Sequence, residues 1–211
     1  MALFTFEPHW SFFLILYILS LIFYYLATIK KRNKWLDRNL IINAFLTFYI
    51  IAVLRLVFTP IDIWFNMDYR DDFISGFLQQ ETWTRWDIAH INLVPLRSFI
   101  QNLSAPLSFW RVTLRNVGGN FIMLLPLPIF LGLLMKKEFS FKKAVLIGFL
   151  TSFSIEIIQL IINLSTGWPN RFVCVDDLLL NTLGVALGYY IFKKYHSFFE
   201  MIVEQMYKFL I

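Results

Sequence analysis

Residues Ala144 to Asn163 read AVLIGFLTSFSIEIIQLIIN. Twenty residues at about 1.5 Å per residue span about 30 Å, the thickness of bilayer hydrocarbon. Inside this apolar run Ser152, Glu156, Gln159 and Asn163 recur at steps of four, three and four, so a helix stacks them on one face. A carboxylate in mid-membrane costs at least about 2.5 kcal/mol on insertion scales. Glu156 must therefore face protein or water and needs a partner or a proton. A spanning helix with one polar face has to be covered by other helices, so the stretch predicts a bundle.

Four more apolar runs supply those helices: Trp10 to Ile29, Leu40 to Phe58, Val117 to Leu134 and Asp177 to Phe192, the last short for a crossing. Over 211 residues, 58% are hydrophobic and only 16% charged, a balance that a water-soluble domain could hardly reach. The expected fold is all-α: a polytopic integral membrane bundle of about five transmembrane helices, forming a single domain over residues 1–211. Cys174 is the only cysteine, so packing and backbone hydrogen bonds must hold the fold without an internal disulfide. The first nine residues carry Glu7 but no lysine or arginine, so they lack the basic start of a cleaved signal peptide and the first span is expected to be retained.

The net charge of +5 sits in short clusters beside the apolar runs, where it signals topology and excludes nucleic acid as a partner. Lys30, Lys31, Arg32, Lys34 and Arg38 follow the first span, Lys136, Lys137, Lys142 and Lys143 the third, and Lys193 and Lys194 the fifth. All three clusters fall on one side, the cytoplasm, if the N-terminus is outside and the C-terminus inside after five crossings. Every lysine of the chain lies on that side. The other side carries only arginines, Arg55, Arg70, Arg85, Arg97, Arg111, Arg115 and Arg171, beside Asp62, Asp68, Asp71, Asp72, Glu81, Asp87, Asp176 and Asp177. Arginine forks pair with carboxylate or phosphate, so these residues either neutralise the neighbouring acids or hold an anionic ligand.

The outer halves of three spans are polar at one depth. The fifth carries Asp177, Asn181, Gly184 and Gly188 at steps of four, three and four, and its glycine stripe admits a close helix neighbour. The third begins with Asn116, Gly118, Gly119 and Asn120 and then meets Pro126 and Pro128, which should bend it. Between spans four and five a short loop holds Arg171, Cys174 and Asp176. Asp176 is either an N-cap or a site residue, and Cys174 is expected to be an accessible spectator thiol. The long segment Thr59 to Arg115 contains Trp83, Trp86, Trp110, Asn92 and Arg97, and is expected to enter the membrane partly, over the outer end. The predicted ligand set is Asn92, Arg97, Asn120, Glu156, Gln159, Arg171, Asp176, Asp177 and Asn181, with Glu156 and Asp177 as the acid/base candidates and Arg171 expected to meet Glu156 or a ligand between them.

Asn92-Leu-Val-Pro95, Gly119-Asn120, Pro126, Glu156-x-x-Gln159, Arg171, Asp176-Asp177, Asn181, Gly184 and Gly188 occur in an order that resembles the VanZ-like family of bacterial membrane proteins, named for a protein linked with teicoplanin resistance. The resemblance covers residues 91–192. Leu96 replaces the family's usual Phe, Pro128 a frequent Gly, and Cys174 an acid. Without that acid, two adjacent aspartates give a hard cation too few oxygen ligands, so no metal is expected. The resemblance implies a multi-pass protein of the bacterial plasma membrane, linked to glycopeptide tolerance; with the arginines near headgroup level, a first class of function is a non-enzymatic envelope protein whose partners are the bilayer and a lipid-linked cell-wall intermediate or lipoglycopeptide. A second class is an intramembrane enzyme acting on such a lipid carrier. No nucleophile motif, HExxH or P-loop supports it, and no cofactor is expected. Transport is disfavoured, because no repeated halves with broken helices are visible.

Overall fold

The computed structural model describes residues 3–32, 38–64, 67–78, 89, 91–97, 100 and 110–210. Helices occupy every expected span. They are α1 (Trp10–Arg32), α2 (Arg38–Phe58), a broken third span, α7 (Phe141–Thr166) and α8 (Val175–Lys194). The third span comprises α4 (Trp110–Thr113), a π-helical turn (Leu114–Gly118), α5 (Gly119–Met123) and α6 (Leu127–Met135). Between α2 and it lies α3 (Met67–Leu78), and the chain closes with α9 (His196–Leu210). Among the described residues, Arg38–Phe58, Leu114–Met135, Phe141–Thr166 and Val175–Lys194 are long and apolar enough to cross a membrane, while the apolar part of α1 described is Trp10–Leu26. The fold is an all-α membrane bundle. The fifth expected span is not short: at 20 residues it reaches about 30 Å, because helix begins two residues before Asp177 and ends two after Phe192.

Local chemistry sets the breaks. Ser140 caps α7, its hydroxyl accepting from Lys143 N, and Gly167 ends it in the left-handed conformation at φ 63°. Pro126 and Pro128 lack amide protons, and the third span breaks between Met123 and Leu127 as expected. The Tyr49 hydroxyl of α2 donates to the Met123 carbonyl at 2.7 Å, covering a backbone group at the break. α8 runs parallel to α5 and α6 and antiparallel to α7. Gly184 lies against the Phe121 carbonyl and Gly188 against the Leu125 carbonyl, so close that a Cβ at either position would collide with backbone. The small-residue stripe therefore does what its spacing predicts.

Two short ladders were not foreseen. β1 (Leu3–Phe6) pairs antiparallel with β2 (Ile61–Trp64), and β3 (Ile91–Asn92) pairs parallel with β4 (Val173–Cys174). Both lie at the end of the bundle where the arginines gather. The opposite end carries the described lysines around an apolar cluster of Ile42, Leu133, Phe139, Ala144, Tyr189, Phe192 and Val203. Trp83, Trp86, Arg85, Glu81 and Asp87 lie outside the described residues.

Candidate functional site

The polar face of α7 is buried as a unit: Ser152, Glu156, Gln159 and Asn163 all lie in the interior. Each holds a different neighbour. Ser152 accepts from Asn181 Nδ2 at 3.0 Å, joining α7 to α8. One turn outward, Glu156 Oε2 accepts from the Cys174 amide at 2.8 Å, at the residue that precedes α8. Gln159 Nε2 donates to the Val57 carbonyl of α2 at 3.5 Å. Asn163 holds the Arg171 backbone on both sides, donating to its carbonyl at 2.7 Å and accepting from its amide at 3.1 Å, and also donates to the Ala89 carbonyl at 3.3 Å.

Arg171 runs to α2. Its Nε donates to the Val57 carbonyl at 3.0 Å and an Nη to the Thr59 carbonyl at 2.6 Å. Helix C-termini leave carbonyls without amide partners and carry a partial negative charge, so a guanidinium is well suited to close one. Burial lowers the pKa of Arg171 from its ordinary value, the neighbouring charge of Arg115 lowers it further, and Asp62 acts in the opposite sense. Arg171 and Glu156 form no ion pair: one closes α2 and the other holds the entry to α8.

The remaining predicted residues form two further groups. Asn120 hydrogen-bonds the Asp177 carboxyl, and Asp177 interacts electrostatically with Glu156, so α5, α7 and α8 bring two carboxylates and one side-chain amide together. Asn181 is 1% exposed, and its Oδ1 has no hydrogen-bond partner among the described residues. Asn92 and Asp176 instead organise the segment before the third span. The Asn92 side chain accepts from Val94 N at 3.2 Å and donates to Cys174 Sγ at 3.6 Å, while Asp176 accepts from Leu96 N at 2.5 Å. Leu96 sits at φ 65°, a left-handed conformation that costs a non-glycine residue about 1–2 kcal/mol. Asp176 is thus no N-cap: that position is Cys174, without a side-chain cap bond, and Asp176 reaches across to hold a strained turn. Arg97, the next residue, is exposed and stands apart from the buried set.

Cys174 is not accessible. It is 2% exposed, because pairing of β4 with β3 turns the loop into a packed strand. Sequence reasoning also missed Asn170, which holds β2 much as Asn163 holds Arg171: Oδ1 accepts from Asp62 N at 2.6 Å and Nδ2 donates to Asp62 O at 3.3 Å. An asparagine beside a loop arginine gave no signal of this, since the partner lies 108 residues away in sequence.

The model of one membrane-protein family, VanZ/LLP1, matches residues 45–199. The chain belongs to the VanZ/LLP1 family. No curated protein and no solved structure matches it. The VanZ/LLP1 match starts inside α2, well before residue 91, and the geometry gives a reason to include that helix: Tyr49, Val57 and Thr59 bind the break of the third span and the Arg171 loop. It ends in the first turn of α9.

Proposed function

We propose that this VanZ/LLP1 protein binds an anionic, lipid-linked envelope ligand at the arginine-bearing end of the bundle, in the outer leaflet of the bacterial plasma membrane, and through it supports glycopeptide tolerance of the teicoplanin type. The observation that carries the reading is the charge of Arg115 beside Arg171, near enough to lower the pKa of Arg171. A diphosphate or carboxylate between them would relieve that repulsion, and arginine forks fit either group. Arg115 and Arg97 are exposed and able to reach a headgroup. Beneath them Asn120, Asp177 and Asn181 offer amide and carboxyl groups to hydroxyls of the ligand. The orientation, N-terminus outside across five crossings, rests on the segregation of lysine from arginine.

A second reading is supported by the electrostatic contact of Glu156 with Asp177. Glu156 is buried and Asp177 half-buried, and two carboxylates in unlike surroundings are the usual means of dividing acid from base chemistry, so an enzyme acting on the lipid carrier would use this pair.

Native mass spectrometry of the purified protein tests both. The wild type should carry an anionic lipid-linked species that Arg115→Ala loses while keeping its melting temperature. A converted product that disappears in Asp177→Asn would favour the enzyme. Equal lipid occupancy in Arg115→Ala and wild type would end the anion-site reading.

A further inference from the structure

α9 is 15 residues long, about 22 Å, too short for about 30 Å of hydrocarbon. It is also striped with charge along its whole length. His196, Glu200, Glu204 and Lys208 follow one another at steps of four and are tied together: His196 and Glu200 by a 3.7 Å contact, Glu204 and Lys208 by one of 3.9 Å. Such a helix cannot stand upright in lipid. Its apolar side is wider than its protein contact. Phe199, Val203 and Met206 form one row, which packs towards α2 and the end of α8, with Val203 buried in the apolar cluster. Phe198, Ile202 and Phe209 form the adjacent row, and there Phe198 is 52% and Phe209 90% exposed.

We propose that α9 lies flat in the membrane interface at the lysine-bearing end, with the row of Phe198, Ile202 and Phe209 sunk among acyl chains and the charged stripe turned to water, on a leaflet with anionic headgroups. Two features favour lipid over a protein partner. The exposed row continues a surface that is already lipid-facing, since Leu183, Leu187 and Tyr190 of α8 are exposed just before the turn at Tyr195. The surrounding charge is complementary to anionic lipid: Lys136, Lys142, Lys143, Lys193 and Lys194 are exposed there, while Arg38 pairs with Glu200 and Lys208 with Glu204. The Arg38 bridge fixes the helix to the start of α2, so its depth is set by the bundle. The inference requires only that the chain spans a bilayer and does not depend on the ligand at the other end.

The test uses the full chain with a nitroxide at Phe198→Cys, Phe209→Cys or Glu204→Cys; buried Cys174 stays in place, and the unsubstituted protein serves as the labelling control. It is reconstituted into vesicles of phosphatidylcholine alone or mixed with phosphatidylglycerol, and power saturation compares access by oxygen with access by a water-soluble nickel chelate. Labels at 198 and 209 should favour oxygen and the label at 204 should favour nickel, with the first two deeper when phosphatidylglycerol is present. Equal nickel access at all three positions would overturn the proposal, and so would shielding of 198 and 209 from both reagents, which would reveal a protein partner. Amide hydrogen exchange over residues 198–210 gives a label-free check: exchange should be slower in the anionic vesicles, and equal rates in both would count against it.

Discussion

The two ends of the bundle are held by different forces. At the arginine-bearing end polar side chains grip backbone: Arg171 takes the carbonyls of Val57 and Thr59, Asn163 holds the nearby Arg171 and Asn170 the distant Asp62 by amide and carbonyl together, Glu156 holds Cys174 N, and Asp176 holds Leu96 N. At the lysine-bearing end Phe139, Tyr189, Phe192 and Val203 pack on one another, and the charges are mostly exposed. Apolar packing tolerates substitution of similar volume, whereas a buried group that holds backbone leaves an unsatisfied partner when removed. The difference teaches where loops are fixed in place. Irregular backbone is tolerated at membrane depth only where protein satisfies it, and the polar residues of this end perform that service.

The largest effect should come from the seam that both ends share. Gly184→Val drives a side chain into the Phe121 carbonyl, and a loss of at least ~3 kcal/mol is expected from overpacking against backbone that cannot yield. Size-exclusion chromatography in detergent should show little monodisperse protein, and a normal yield and melting temperature would mean that α5 and α8 are not locked at this point.

At the arginine-bearing end, Asn163→Ala should cost about 2–3 kcal/mol by stranding the amide and carbonyl of Arg171. A Leu133→Met swap at the opposite end should cost less than about 1.5 kcal/mol. Thermal unfolding of both variants measures the contrast, and equal losses would erase it.

Arg171→Ala and Glu156→Gln separate holding from chemistry. The first removes two donors from the end of α2 and should lower stability by about 2 kcal/mol, with faster hydrogen exchange at Thr59 and Asp62. The second still offers an oxygen to Cys174 N, so about 1 kcal/mol or less should be lost. If Glu156 also serves the proposed site, a normally folded Glu156→Gln protein should fail to confer envelope tolerance. Full tolerance would leave Glu156 a purely structural residue.

The smallest effect belongs to the lysine-bearing end. Arg38 and Glu200 are bridged but partly exposed, so a double-mutant cycle with Arg38→Ala and Glu200→Ala should return no more than about 1 kcal/mol. A larger coupling would mean that α9 is anchored by charge as much as by Val203.

Local rules were enough for the helices, the lysine-bearing end, the proline break and the polar face of α7, because length, periodicity and missing amide protons act within a few residues. The same sequence marked Glu156, Gln159, Arg171, Asp176, Asp177 and Asn181 as belonging together without saying how. From sequence alone Arg171 is expected to meet Glu156 or a ligand between them, and Cys174 to be open to solvent. Only the tertiary structure sent Arg171 to the end of α2, gave Glu156 the Cys174 amide and buried that thiol beneath Asn92. The partners of Glu156 and Arg171 are backbone groups 18 and 114 positions away, and the Cys174 thiol meets a side chain 82 positions away. A backbone carbonyl or amide has no residue signature, and it becomes a partner only when packing brings its segment within reach.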